Sequence, residues 1–204
     1  IPVSNQAVSC NGTLTGVRDG RSYATSLIGG RCWMKQNLNY GTRLLPENQS
    51  QTDNCTAEKY CLPTDTDCNL YGGLYQWEEL MAYGTTSQNQ GLCPPGWHVP
   101  SESEWQAMIN AITTGITPPA DGLAGGFLRD TTIITGFHAK IKGFYYHNTT
   151  WGFFSGTPTG TMFWTSTPVT ETHAIARGSN SINPSVSKYP GSRGNAFSVR
   201  CVRD

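Results

Sequence analysis

The side chains best equipped for covalent or metal chemistry are seven cysteines, at positions 10, 32, 55, 61, 68, 93 and 201, and four histidines, at 98, 138, 147 and 173. Zinc sites need Cys and His grouped at short ligand intervals, and this chain has no CxxC and no paired His, so no metal is expected. Disulfides formed in an oxidising compartment are the better use of so many thiols, which places the protein outside the cell. An odd count leaves at least one thiol free or joined to another chain. Asp65 and Asp67 in TDTDCN, with Asn69, could offer oxygen atoms to Ca²⁺. The calcium-loop pattern is missing, and a lone DxD is more often a solvated turn, so the expectation is no cofactor. A catalytic cysteine needs an exposed, electropositive setting, which Cys201 in its strand-like context does not offer. No nucleophile elbow supports a Ser/His/Asp arrangement, so no enzyme is expected.

Non-covalent chemistry is concentrated near the C-terminus. FWTST, from Phe163, and the alternation of Phe197, Val199 and Cys201 with Ser198 and Arg200 predict half-buried strands. Between these ends, Thr172 to Asn195 holds almost no large apolar residue and many Ser, Asn and Gly. If the segment is extended, Ile175, Ser185 and Ser187 alternate with Ala174, Val186 and Lys188, and one set points outward together. Small adaptable polar residues with isolated Tyr, His and Arg have the composition of antibody-like paratopes. The candidate ligand-binding residues are His173, Ile175, Ser179, Asn180, Ser181, Asn183, Ser185, Ser187, Tyr189, Arg193 and Asn195. The expected partner is a protein ligand or surface receptor, possibly a glycan. A tolerant loop without a ligand is the plainer alternative.

These residues need elements to hold them. Arg21 to Ile28 and Arg31 to Lys35 read as strands joined by Gly29-Gly30. A polar, cysteine-bearing loop is expected from about Glu47 to Asn69. Leu74, Trp77, Leu80 and Met81 predict a helix within Leu70 to Tyr83. The strongest local signal follows: Ser101 as N-cap and Glu104 at N3 form a capping box after Pro100. Trp105, Met108, Ile109 and Ile112 then make one apolar face, ending near Gly115 and Pro118-Pro119. Beyond about Asp121 the chain is Gly-punctuated and β-branched, which predicts short strands and long loops. Trp77, Trp97 and Trp105 are expected in the core, and His98 as a hydrogen-bonded structural residue. Tyr145, Tyr146, Trp151, Phe153 and Phe154 are read as buried strand positions, with a rim beside the binding face as the alternative. Two helices followed by a strand-rich half define an α+β class.

The bulk properties are compatible with this. A chain of 204 residues can bury a sizeable core, and 14% charged residues with 23 Gly and 12 Pro suit a loop-rich globular domain. Fourteen basic residues balance fourteen acidic ones. That argues against nucleic-acid binding, which calls for a basic excess. No apolar run approaches the roughly 20 residues of a membrane span. A start at Ile1 without Met is what removal of a leader, or trimming, would leave.

CPPGWHVPSESEW (Cys93 to Trp105), CLPTDTDCNLYGGLYQWEELM (Cys61 to Met81), CWMKQNLNY (Cys32 to Tyr40), FWTST and FSVRCVRD (Phe197 to Asp204) together resemble the FISUMP family of major paralogous surface domains. The resemblance covers about residues 20 to 204. It implies a C-type-lectin-like fold over residues 1–204, with two helices packed on short twisted antiparallel strands, loop-rich and disulfide-stapled. Many members are variable proteins of diversity-generating retroelements, whose C-terminal codons are mutagenised to alter a ligand-binding surface. Here that surface would be carried by about residues 163–204, on a prokaryotic cell or virion. The resemblance pairs Cys93 with Cys201 and Cys61 with Cys68, and leaves Cys10, Cys32 and Cys55 open. Thr167-Pro168-Val169 lacks the carboxylate or amide that sugar-binding lectins of this fold use, which argues against calcium-dependent sugar binding. A cell-envelope carbohydrate-binding or adhesin module without diversification is the alternative function. The same fold class includes formylglycine-generating enzymes, but the cysteine pair they need has no counterpart in the C-terminal half.

Overall fold

Gly29 and Gly30 both adopt positive φ, at 59° and 78°, the geometry that a two-residue hairpin turn requires. They join β2 (Ser22–Ile28) to β3 (Arg31–Met34) in antiparallel register, Ile28 opposite Arg31. A Cβ on Gly29 would lie 3.1 Å from that of Ala111, so the turn also seats the hairpin on a helix. The computed structural model describes residues 10–15, 18–45, 49–84, 90–115, 121–129, 136–147, 152–155 and 160–204.

The first helices and small strands follow in chain order. After β1 (Thr13–Thr15) and the β2–β3 hairpin come β4 (Thr42–Arg43), β5 (Glu58–Lys59), β6 (Tyr75–Gln76), α1 (Trp77–Leu80), β7 (Trp97–His98), α2 (Glu102–Ile112) and α3 (Asp121–Arg129). Then follow β8 (Phe144–His147), β9 (Gly152–Ser155), β10 (Gly160–Pro168), β11 (His173–Asn180), β12 (Val186–Ser192), β13 (Ala196–Phe197) and β14 (Val202–Arg203). Among the described residues the strands form four sheets, ordered β1-β2-β3-β14-β7, β10-β11-β12, β6-β13-β8-β9 and β4-β5, and of their strand pairs only β4-β5 is parallel. The fold is α+β and stapled by disulfides, as expected.

Two helix expectations need correction. The apolar spacing over Leu70 to Tyr83 is real, since Leu74, Trp77, Leu80 and Met81 are all buried, but only Trp77–Leu80 is helical. Leu74 instead bridges to Tyr60, and Tyr75–Gln76 pairs with β13, so sheet contacts take the backbone before the helix can start. Gly72, at φ 79°, excludes helix further upstream; a Cβ there would lie 2.5 Å from that of Asn37. The second correction is α3, which occupies Asp121–Arg129 where strands and loops were expected. Its Ala124 and Leu128 are buried against α2 residues.

The capping box at α2 is present in both halves: Ser101 Oγ accepts from Glu104 N, and Glu104 Oε2 accepts from Ser101 N. The α2 face carries Trp105, Met108 and Ile109 into a core with Trp33, Phe137 and Phe163. Their rings meet largely edge to face, with centroids about 5.4 to 6.2 Å apart, as aromatic quadrupoles prefer. A second core gathers Trp77, Trp97, Trp164, Phe197 and both members of the Cys93–Cys201 disulfide.

The final segment departs from the predicted alternation. Phe197, Val199 and Cys201 are buried, but so are Ser198 and Arg200. The chain here threads between sheets instead of lying on a surface. Arg200, 1% exposed, donates to Asn37 Oδ1 and to the carbonyls of Phe137 and His138, and its guanidinium lies 4.1 Å from the Phe137 ring centre. Burial alone pulls its pKa down to about 9.

Among the described residues the disulfides are Cys10–Cys32, Cys61–Cys68 and Cys93–Cys201, and Cys55 is a free, exposed thiol. The two pairs implied by the resemblance are formed, and Cys10 finds Cys32. Of the aromatic cluster, Tyr145 is buried in a stack on Tyr60, while Tyr146 is half-buried. Trp151, the side chains of Phe153 and Phe154, and Pro118-Pro119 lie outside the described residues.

Candidate surface of the C-terminal hairpin

The segment read as a polar insert is the β11–β12 hairpin. Its register sets Ala176 opposite Tyr189, Arg177 opposite Lys188 and Gly178 opposite Ser187. Paired residues share a sheet face, so Ser187 and Tyr189 stand together over the small residues Gly178 and Ala176. That packing is close: a Cβ on Gly178 would lie 2.5 Å from Ser187 Oγ and 2.7 Å from Met162 Sδ, so both side chains would have to shift. On the other face, Lys188 extends over Arg177 toward α2. β12 is the edge of its sheet, and Ser187 through Pro190 are all exposed, with Tyr189 at 42%.

Three contacts fix the hairpin from beneath. Arg177, only 1% exposed, makes a fork onto Glu102, with Nε 3.0 Å from Oε2 and a second bond from Nη2 to Oε1. Nη2 also donates to Gln106 Oε1 at 2.6 Å, and Lys188 Nζ lies 3.2 Å from the same Glu102 carboxylate. This ties β11 to the first turn of α2 by a charged bidentate contact. At the tip, Gly125 of α3 lies under the turn so closely that a Cβ would sit 2.5 Å from Ser185 O and 2.8 Å from Pro184 O. At the base, Arg193 stacks 4.0 Å over Trp77 and donates to Glu78 at 2.7 Å.

The predicted site residues therefore divide. Ser181, Asn183, Ser187 and Tyr189 are exposed, and His173, Asn180 and Ser185 are partly so. Asn180 Oδ1 accepts from the amides of Ile182 and Asn183, and Asn183 Oδ1 from Ser185, so these carboxamides shape the turn. His173 Nδ1 lies 2.9 Å from Thr172 Oγ1. Ile175, Ser179 and Asn195 are buried and are not part of an outward surface. Ser179 Oγ accepts from Arg129 at 2.9 Å, and Asn195 Oδ1 from the His147 amide at 3.1 Å. Ile175 pairs with Pro190 on the face opposite Ser187, so the alternating outward set of Ile175, Ser185 and Ser187 does not form. Arg193 is held by Trp77 and Glu78 instead of facing out.

Sequence reasoning missed Lys188 and Ile182. Ile182 is 84% exposed at the hairpin tip, and an apolar side chain standing alone in a polar segment was the available signal. Tyr146, read from the sequence as a buried strand position with the rim as the alternative, is half-buried in β8, and burial first and neighbouring Tyr189 second push its phenol above the usual pKa.

The other candidates have structural partners. Asp65 Oδ1 accepts from the Asn69 amide, and Oδ2 from the amides of Leu70 and Tyr71, all within 3.0 Å. Asn69 Oδ1 in turn accepts from Arg21. No group of three or more His, Cys, Asp or Glu is arranged for a metal among the described residues. His98 bridges Asp204, at 2.5 Å from Nδ1, and Glu104, at 3.0 Å from Nε2.

The molecule is thus a disulfide-stapled α+β domain that presents an exposed edge hairpin on a braced base. The family model of the Fibrobacter succinogenes major domain matches residues 27–203, and the chain belongs to that family. Neither the curated proteins nor the solved structures include a match.

Proposed function

We propose that the chain is a recognition protein that binds a protein ligand non-covalently through the outer face of β12 and the β11–β12 turn. One observation carries this reading: exposed Ser181, Asn183, Ser187 and Tyr189 project from a hairpin whose other face is locked to α2 through Arg177, Lys188 and Glu102. A rigid base limits the entropy lost on binding, and Tyr with small polar neighbours supplies adaptable contacts. The reading includes a C-type-lectin-like scaffold, no catalysis, and a place on a prokaryotic cell or virion surface, for which three disulfides speak. It further takes the protein as the variable product of a diversity-generating retroelement.

Both parts can be tested. A nearby reverse-transcriptase gene and a template repeat of the 3′ coding segment are expected. Differences between the repeats should fall on codons 181, 183, 187 and 189 and spare Arg177, Ser179 and Asn195. Differences scattered equally over buried and exposed codons would sink the diversification reading. For binding, Ser181, Asn183, Ser187 and Tyr189 replaced together by Ala should abolish retention on ligand-bearing cells while the melting temperature stays within a few degrees. Unfolding of that variant would make the face structural.

A further inference from the structure

A second concave site lies away from the hairpin and shares no residue with it. It is a cleft of about 320 Å³ between the β2–β3 end and the loop that follows the Cys61–Cys68 staple. Four cations border it, Arg21, Lys35, Lys140 and Arg200, and no carboxylate does. In a chain whose fourteen basic and fourteen acidic residues cancel, that separation is local and concentrates positive potential.

Two nearby acids, Asp19 and Asp65, are already engaged. Asp19 lies 3.8 Å from Arg21 Nε and accepts from the Arg21 amide. Asp65 is saturated by three backbone amides. Among the described residues Arg200 has only neutral acceptors, Asn37 Oδ1 and two carbonyls, so its buried charge is hydrogen-bonded but not neutralised by them. The Lys35 ammonium has no acceptor among the described residues, and Lys140 Nζ reaches only the Leu70 carbonyl, at 2.6 Å. A buried positive charge without a counter-ion is costly, and an anion in the cleft would offset it.

The remaining lining is suited to hydroxyls and a ring. Asn39 Oδ1 is buried and accepts from no described residue. Tyr71 presents an aromatic ring with Lys140 and Lys142 within 5.6 Å of its centre. The volume is at the lower end of the ~300–1,000 Å³ usual for ligand sites, which suits a single ring with its substituents.

We propose that this cleft binds one acidic sugar unit, its carboxylate or sulfate ester held by Lys35 and Lys140 above the buried charge of Arg200 and its hydroxyls by the Asn and Tyr wall. The test is a titration of the full chain, followed by amide NMR shifts, with glucuronate, glucose 6-sulfate, glucose and inorganic sulfate at fixed ionic strength. At least one charged sugar should bind at least about tenfold more tightly than glucose or inorganic sulfate, and whichever one does identifies the anion's source. Lys35→Gln and Lys140→Ala should each weaken it by about threefold or more with unchanged melting, since neither head group supports the core. Equal binding of glucose, equal binding of inorganic sulfate, no binding at all, or indifference to both substitutions would each overturn the proposal.

Discussion

His98 shows how a single side chain can serve several elements. Burial lowers its pKa, but hydrogen bonds to Glu104 and Asp204 and their charges outweigh that, and the net shift is upward. Burial likewise opposes the charge on Glu104, yet His98 and Ser101 hold its pKa down at about 2. Arg31, 3.1 Å away, adds a further positive neighbour. The signs then fix a pH window. A raised His contributes stability fully below its unfolded value of about 6.5 and loses it as pH rises through the higher folded value. A lowered Glu contributes above its unfolded value of about 4.3 and loses it as pH falls toward about 2. Both contributions coexist between about pH 4.5 and 6.5. Thermal midpoints should therefore fall for the native chain between pH 6 and 9, and fall less for His98→Asn, which cannot become charged. Parallel pH profiles for the two proteins would remove His98 from the account. The sequence made His98 legible as a structural residue because GWHVP runs directly into a capping box; its two acids were not, since Asp204 arrives from the far end of the chain.

At the scale of elements, α3 explains both a miss and a prediction. DGLAGGFLR has three glycines in nine residues, and glycine disfavours helix by about 1 kcal/mol relative to Ala, so the segment reads as loop. The structure uses Gly125 for contact: the carbonyls of Pro184 and Ser185 rest where a Cβ would be, and the Gly126 amide donates to Pro184 O. Tertiary packing thus overrides propensity at the residue that conceals the helix. Gly125→Ala sets two effects against each other, a propensity gain of about 1 kcal/mol and overpacking against backbone of about 1–3 kcal/mol. The clash should win, with lower stability in urea and faster amide exchange around Val186. Gly122→Ala on the same helix meets nothing within 4 Å and should be neutral or slightly stabilising. If the two substitutions behave alike, α3 does not support the hairpin. By contrast, the start and apolar face of α2 were legible, because cap and period are local, while its end, expected near Gly115, comes at Ile112. The hairpin was legible as a special region but not in its facing. Ser179 and Asn195 are polar by type and buried by partners on α3 and β8, which no local pattern records. The candidate list consequently mixed outward residues with braces.

At the scale of the molecule, the C-terminus closes the structure. β14 lies between β3 and β7, so the last strand is interior to a five-stranded sheet, and Cys201 beside it is bonded to Cys93 across 108 residues. The other staples span 22 and 7 residues. If disulfides act by restricting the unfolded chain, the loss on removal scales with the logarithm of the loop closed: about 4.8, 3.4 and 2.4 kcal/mol for the long, middle and short loops. Replacing each pair by Ala and measuring urea unfolding in oxidising buffer should reproduce that order, Cys93–Cys201 largest and Cys61–Cys68 smallest. The absolute values should fall below these figures wherever the reduced, unfolded chain keeps residual structure. A different order would have a specific meaning. Cys61–Cys68 frames the loop whose Asp65 turn shapes the cationic cleft, so a loss there exceeding that of the long bridge would show that this staple holds native geometry. The ranking would then report local order at the cleft instead of chain entropy. Titrating the acidic sugars against the Cys61→Ala/Cys68→Ala variant separates the cases: unchanged affinity goes with the entropic account, and weakened affinity with the geometric one.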